Sequence, residues 1–434
     1  MTSRNYDLPA PAAPDSAGDA RLANSSPSRL ALLAGLVLVC CFAATYLWCA
    51  LRVYQADRFA GGRDRASLER AIRLQPRDAN SYDLLGQYFI WDADPQAAVS
   101  QFQQAARLNP YSATYWLHLA QAYSSAGADN EQAAAISRAI AVDPTTPEVA
   151  WSAANYYLLR GDTAEALDKL AVVIRNDPNM AETALDLSWR VSGDINAMVR
   201  RLPPDPNLYL QSIRLLLARQ QWSAAGQMWS WLLGLNRDFD PDAALFYVDA
   251  LLAKPDAAGA RDAWQSLVRT SSSLQSYLRP GNLVVNPGFN RKILNAGFDW
   301  RYRPLPGVSL LLDSTQSYQG TESLLVTYSG PSQDVGMFQY VPVTPGTLYV
   351  TSSWVKSEEL LSANGPRLTV LNPYNDLEYA HSEETLGTTS WHQVQAAFTA
   401  LPGVDLVSIR FSRQPGDTWI QGRFWIGYVQ LSQK

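Results

Sequence analysis

Cysteine is nearly absent. Cys40, Cys41 and Cys49 are the only three in 434 residues, and all lie in one apolar stretch. Everything beyond residue 49 therefore lacks the thiols for a disulfide framework or a zinc ribbon, which is compatible with an oxidising compartment but does not require one. Histidine is equally sparse: His118, His381 and His392 are scattered, without metal-ligand spacing. No Gly-rich phosphate loop and no nucleophile elbow appear. Charged residues make up only 17%, the net charge is −5, and no long basic run is present. Phosphate binding needs a concentrated basic surface, so a nucleic-acid partner is not expected. The acid pairs Glu358–Glu359 and Glu383–Glu384 are adjacent in sequence, and neighbours on a strand point to opposite faces, so neither pair converges on one bond. Catalysis needs a convergent site; none is legible, and neither enzyme activity, a cofactor nor a bound metal is expected.

One long hydrophobic run is present. Leu30 to Leu51 gives 22 residues without a charge, "LALLAGLVLVCCFAATYLWCAL", between Arg29 and Arg52. At ~1.5 Å per residue this is roughly 33 Å of helix, enough for a hydrocarbon core of ~30 Å. Tyr46, Trp48 and Tyr54 suit one membrane interface. A cleaved signal peptide would have a shorter apolar region of ~7–15 residues, and Val39 is bulky where lipoprotein processing at Cys40 wants a small residue. A retained span over 29–52 is expected, after a disordered tail over 1–28 rich in Pro, Ala, Ser and Asp. Orientation is in conflict. Arg52, Arg58, Arg63, Arg65 and Arg70 follow the span, which by the positive-inside rule holds the large part in the cytoplasm. That rule is weak for long folded domains, and the β-rich segment below favours the extracytoplasmic side, so the expectation is a single-pass inner-membrane protein with its C-terminal part periplasmic.

From residue 53 the sequence repeats itself. "AIRLQP", "AARLNP", "AIAVDP" and "VIRNDP" place prolines at 76, 110, 144 and 178, each 34 residues from the last. Within one interval Tyr82, Leu85, Gly86, Phe89, Ala98, Phe102, Ala105 and Pro110 resemble the tetratricopeptide repeat at its usual positions. Small residues at Gly86, Ala120 and Ala154 let paired helices approach, aromatics at Phe89, Tyr123 and Tyr157 fill the next layer, and proline stops the second helix. After Asp177 the pattern loosens into irregular helix pairs up to residue 278. "DRASLERAIRLQP" supplies a second helix whose partner falls on the end of the apolar run, so the span is expected to run directly into an α-solenoid. The resemblance implies a concave surface on the first helices that binds protein. It includes Asp83, Gln87, Gln121, Trp151 and Asn155, with Gln87, Gln121 and Asn155 as an amide ladder for a peptide backbone. A merely solvated polar face is the alternative.

Residues 279–434 change texture. Short β-rich runs such as "ESLLVTYS", "TLYVTSSWVK", "LVSIRFSR" and "RFWIGYVQL" alternate with Gly, Pro, Asn and Asp clusters, which predicts an antiparallel sandwich, a jelly roll. The fold class is therefore multidomain α + β. "NLVVNPGFN", "FQYVPVTPGTLYVTSSWVK", "SWHQVQAAFTA" and "FWIGYVQL" resemble, in that order, the galactose-binding-type jelly roll of carbohydrate-binding modules. The resemblance implies glycan binding through aromatic faces. Trp300, Tyr302, Tyr379 and Trp419 lie in or beside loops, and Arg410 alternates away from Val407, Ile409 and Phe411; these five are the candidate carbohydrate-binding residues. Trp354 shares a face with Leu348 and Val350 and reads as core. Members of that family carry a structural calcium on acidic residues where this chain has Asn290, Gly427 and Tyr428, so the site is expected to be lost.

The reading that follows is a non-enzymatic, membrane-anchored scaffold. Its repeats would bind protein and its jelly roll a polysaccharide of the cell envelope. The rival is a purely protein-binding scaffold with a structural jelly roll.

Overall fold

The computed structural model describes residues 29–318, 320–414 and 418–434; the expected tail over 1–28 lies outside them. The chain divides into two compact units, Met1–Tyr156 and Tyr157–Lys434.

In the first unit the apolar run and the start of the solenoid are one helix. Helix α1 (Arg29–Ala60) continues without a break past residue 52 and is followed by α2 (Arg65–Leu74), α3 (Ala79–Trp91), α4 (Pro95–Leu108), α5 (Ala113–Ser125) and α6 (Asp129–Val142). Helix α7 (Pro147–Arg160) crosses the division. The two ends of α1 differ. Leu32 to Leu51 face outward throughout, whereas Ala56 and Ala60 are buried against α2. The repeat signature has a local cause at each turn. Asp78 and Asp94 accept N–H groups of Ser81 and Ala97, the unpaired donors at the starts of α3 and α4. Gly86 is required because a Cβ there would lie 2.6 Å from the Phe102 ring of α4. One repeat later the same two positions are Ala120 and Ile136: the smaller partner lets the small residue grow by a methyl.

The second unit begins with α8 (Thr163–Asn176), α9 (Pro178–Ser192), the short α10 (Ile195–Val199), α11 (Pro206–Ala218), α12 (Trp222–Gly234), α13 (Leu245–Ala253), α14 (Ala257–Thr270) and the one-turn α15 (Ser272–Gln275). Among the described residues ten strands follow: β1 (Arg301–Tyr302), β2 (Val308–Tyr318), β3 (Thr321–Pro331), β4 (Asp334–Pro342), β5 (Leu348–Leu361), β6 (Arg367–Leu371), β7 (Glu378–His381), β8 (Gly387–Thr399), β9 (Leu406–Ser412) and β10 (Trp419–Gln433). They form two antiparallel sheets, ordered β1-β4-β9-β6-β7 and β2-β3-β10-β5-β8. Val326, Val341, Val355, Val370, Ile409 and Phe424 from both sheets fill one core between them. The expected architecture is present: an apolar helix, a helical repeat and a jelly-roll sandwich.

The "NPGF" stretch is a turn with Asn286 and Phe289 at positive φ. Its Asn286 carbonyl accepts the Trp300 indole N–H at 3.0 Å, and Phe289 packs on the Trp300 ring with centroids 5.2 Å apart. Gln339 of β4, buried completely, bonds both the N–H and the carbonyl of Val285 at 2.8 Å. One side chain thereby satisfies both backbone groups of Val285, between the bonds that Leu283 and Pro287 make to β10.

Candidate glycan and peptide surfaces

The outer face of the β1-β4-β9-β6-β7 sheet carries a row of cross-strand neighbours. Arg301 pairs with Phe338, Phe338 with Arg410, Arg410 with Thr369 and Thr369 with His381. Because antiparallel partners share a face, these five lie in one transverse row, in which Thr369 is fully buried beneath its neighbours and Arg301, Phe338, Arg410 and His381 are the accessible members. Beside it Tyr340 meets Phe338 edge to face at 5.2 Å, with the Arg301 guanidinium 5.2 Å from the Tyr340 ring centre. Acids hold the cations in place. Arg410 reaches Asp376 at 3.1 Å and Asp334 at 4.0 Å, Arg303 reaches Asp334 at 2.7 Å, and Glu378 takes both Arg367 and His381. The result is two half-buried rings bordered by fixed charged hydrogen-bonding groups. A flat polar ligand with an apolar face fits such chemistry.

The sheet is also tied to helix α13. Asp249 accepts from Arg301 and, at 2.7 Å, from the Gly297 N–H, while the Tyr374 hydroxyl donates to the Leu252 carbonyl at 3.2 Å.

The five sequence-predicted sugar residues do not converge. Arg410 sits at the centre of the row. Trp300 does not offer a stacking face: it is 2% exposed, with its N–H and ring both engaged by the "NPGF" turn, and that expectation is corrected. Tyr302 is exposed but pairs with Met337, a core-facing residue, so it turns to the other side of the sheet from Arg410. Tyr379 packs on the core beside Phe398, and its hydroxyl accepts from Asn372 at 3.0 Å. Trp419, 61% exposed, stands at the end of β10 in the other sheet. Phe338, Tyr340, Arg301, Arg367 and His381 were missed; the signal available was alternation on β4, where Phe338 and Tyr340 flank the inward Gln339. Trp354 also needs correction. The inward face of β5 carries Tyr349, Thr351, Ser353 and Val355, so Trp354 points outward, where it stacks on Tyr318 at 4.1 Å.

On the repeats, Asp83 is buried and holds the His118 ring at 2.7 Å and the Gln87 amide at 2.7 Å. Asn155 donates to the Trp151 carbonyl within its own helix at 3.0 Å, and Trp151 is half-buried. One N–H of each of Gln87 and Asn155 is engaged in these bonds, and all three amides, Gln87, Gln121 and Asn155, are exposed. Gln87 also lines a concavity of about 500 Å³ with Arg63, Leu68, Leu84, Tyr88 and Trp91.

Family models match both regions. A carbohydrate binding domain matches residues 281–418, and a tetratricopeptide repeat matches 84–145 and 126–181. The chain carries tetratricopeptide repeats and a carbohydrate-binding domain. No curated protein matches it. Among solved structures, the chain is similar to a CBM4 module at 16% identity, with 35% of this chain and 99% of that one covered and a TM-score of 0.28. It is similar to the MamA protein at 16% identity, 40% and 94% coverage and a TM-score of 0.30. It is also similar to the CBM22-1–GH10 modules of the Clostridium thermocellum xylanase Xyn10B complexed with xylohexaose, at 15% identity, 35% and 29% coverage and a TM-score of 0.26.

Within the carbohydrate-binding domain, the positions where the family resemblance puts calcium ligands do not fit a cation. Asn290 Oδ1 accepts the Glu322 N–H at 2.9 Å. Gly427 brings no side-chain carboxylate, and its bare Cα makes room for Trp391 and Tyr318, which a Cβ would approach to 3.2 and 3.4 Å. The Tyr428 hydroxyl accepts from Asn282 at 3.4 Å. Among the described residues no three His, Cys, Asp or Glu side chains cluster for a metal.

Proposed function

We propose that the protein is a non-enzymatic scaffold anchored by α1 in the inner membrane, with its large part extracytoplasmic. Its repeats hold a protein partner and its sandwich binds an extended glycan, in assembly, export or anchoring of a cell-envelope polysaccharide. The observation that carries the glycan reading is the transverse row from Arg301 to His381 with Tyr340 beside it. Sugars bind proteins by laying an apolar ring face on an aromatic and their hydroxyls on fixed charged groups, and this face offers both. The acids nearest the row are held by arginines, which suits hydrogen bonding rather than proton transfer. The test is a glycan array probed with the full chain in detergent, followed by titration of Arg410→Ala and Tyr340→Ala against any hit. Each substitution is expected to weaken binding roughly tenfold or more, the scale of one stacking or charge-assisted contact. No binding by correctly folded protein would sink the proposal.

A purely protein-binding scaffold is the second reading. The ties from Arg301 and Tyr374 to α13 favour it, because they use part of the same sheet to fix helices to the sandwich. An empty array together with capture of a defined protein partner would select it.

A further inference from the structure

We propose that the first two repeat turns form a lipid-docking rim that lays the solenoid on an anionic membrane surface. The inference rests on reading α1 as a membrane span.

The continuity of α1 fixes the level of the rim. The apolar run ends at Leu51, and on the next residue the Arg52 guanidinium donates to the carbonyl of Leu74, the last residue of α2, at 2.5 Å. The α2–α3 turn therefore begins within about one helical turn of where the hydrocarbon core would end. Successive helices run antiparallel, so the α4–α5 turn returns to the same side, whereas the α1–α2, α3–α4 and α5–α6 turns lie at the far side. The two sets differ in charge. The near turns carry Arg73, Arg77 and Arg107, all exposed and without ion-pair partners among the described residues, besides Arg52. Their acid, Asp78, is used as the cap of α3. The far turns carry Asp57, Asp64, Asp92, Asp94, Asp129 and Glu131 with Arg58, Arg63 and Arg65, and Arg65 is paired with Glu69. Apolar groups are exposed on both sides: Trp91, 81% exposed, ends α3 at a far turn. Tyr111, at the tip of the α4–α5 turn, is 83% exposed and Leu108 beside it is also exposed.

A tyrosine and a leucine among unpaired arginines suit the headgroup layer, where aromatic rings anchor and cations meet anionic lipid. The third turn, at Asp143 and Glu148, carries acids and no arginine, so the rim is confined to the two turns nearest the span. The arginines that follow the span, read as a loop, argue for a cytoplasmic C-terminal part. Of these, only Arg52 belongs to the near rim; Arg58, Arg63 and Arg65 lie at the far α1–α2 turn.

The test uses the full chain in vesicles. After Cys40, Cys41 and Cys49 are changed to serine, a fluorophore is placed on Ser112→Cys at the near end of α5 or on Ser124→Cys at its far end. Twelve residues of helix separate the two by about 18 Å, more than two Debye lengths at physiological salt. In phosphatidylcholine vesicles containing 30% phosphatidylglycerol and a headgroup nitroxide lipid, the Ser112 label is expected to be strongly quenched and the Ser124 label weakly. Each arginine near such a surface is worth about fivefold in the docked population, so Arg73→Gln, Arg77→Gln and Arg107→Gln together should lower the docked-to-free ratio about 100-fold. Salt at 0.5 M should do the same to the unmodified rim, which guards against a variant that misfolds. Equal quenching at both sites, or quenching indifferent to salt and to the arginines, in a chain that resists carbonate extraction, would overturn the rim. Extraction of the chain by carbonate would overturn the span itself, and the rim with it.

Discussion

Asp299 should make the second unit less stable as pH rises, and Asp299→Asn should abolish that loss. The side chain is fully buried between the "NPGF" turn and β1. Its Oδ2 accepts the Leu294 N–H at 2.7 Å, while Oδ1 has no well-aligned donor among the described residues. Arg301, the nearest cation, has its guanidinium committed to Asp249. Burial pushes the carboxyl up to about 7, only partly offset by the Leu294 and Trp300 amides, Asn286 and Arg301. The folded state then holds a proton that the unfolded chain releases near its ordinary value of 3.8. Because the native state binds more protons, stability falls with pH between those two values and levels off above about 7. The gap of about three pH units corresponds to about 4 kcal/mol at most. Asparagine keeps the acceptor for Leu294 and has nothing to ionise. The assay is urea unfolding of wild type and variant at pH 4.5 and pH 8, followed by tryptophan fluorescence. The difference between them is what isolates this group, since other carboxylates titrate in both. The variant should gain little at pH 4.5 and several kcal/mol at pH 8. A difference that stays constant across that range would refute the reasoning. The position also matters for function, because the loop from Leu294 to Arg301 joins Asp249 of α13 to the first residue of the proposed glycan row.

Gly86→Ala should destabilise the repeats by about 1–3 kcal/mol through overpacking on Phe102, and Phe102→Ile, which copies the next repeat, should recover much of it; thermal unfolding of the double variant checks this. Arg413 is buried with no carboxylate partner among the described residues, donates to the carbonyls of Ser332, Asn364 and Thr418 and to Ser362 Oγ, and burial lowers its pKa. Arg413→Met should strand those acceptors at a loss of about 3 kcal/mol or more by urea denaturation. An alkaline phosphatase fused after Lys434 should be active in a bacterial host if the large part is extracytoplasmic; a well-expressed, inactive fusion would reverse that orientation.

The repeats were legible because their physics is local. A 34-residue period, a small residue opposite a large one and a proline behind each second helix all act within one helix pair, so the sequence carries them whole. The sandwich was legible as a fold for a similar reason, through strand-length runs between turn residues. Its site was not. The row from Arg301 to His381 runs through residues 301, 338, 410, 369 and 381, an order set by strand connections rather than by sequence. Alternation should have separated its two faces, yet on β5 it misled, because the core side holds Thr351 and Ser353 while Leu348, Val350 and Trp354 face out. Thr351 can be inside because its hydroxyl donates to the Gln430 carbonyl at 3.0 Å, and a polar group so satisfied costs little to bury. Hydrophobic pattern measures only the transfer of side chains from water, so a strand whose inward polar groups are paired across the sheet looks the same from either side. Trp300 failed for the complementary reason. Its loop position suggested exposure, but the partner that buries it is a carbonyl fourteen residues earlier, offered by a turn whose positive-φ Asn286 aims it inward. In both cases the deciding contact is a hydrogen bond to backbone brought near by the fold. Such contacts, more than aromatic content, decide which rings of this sandwich remain available to a ligand.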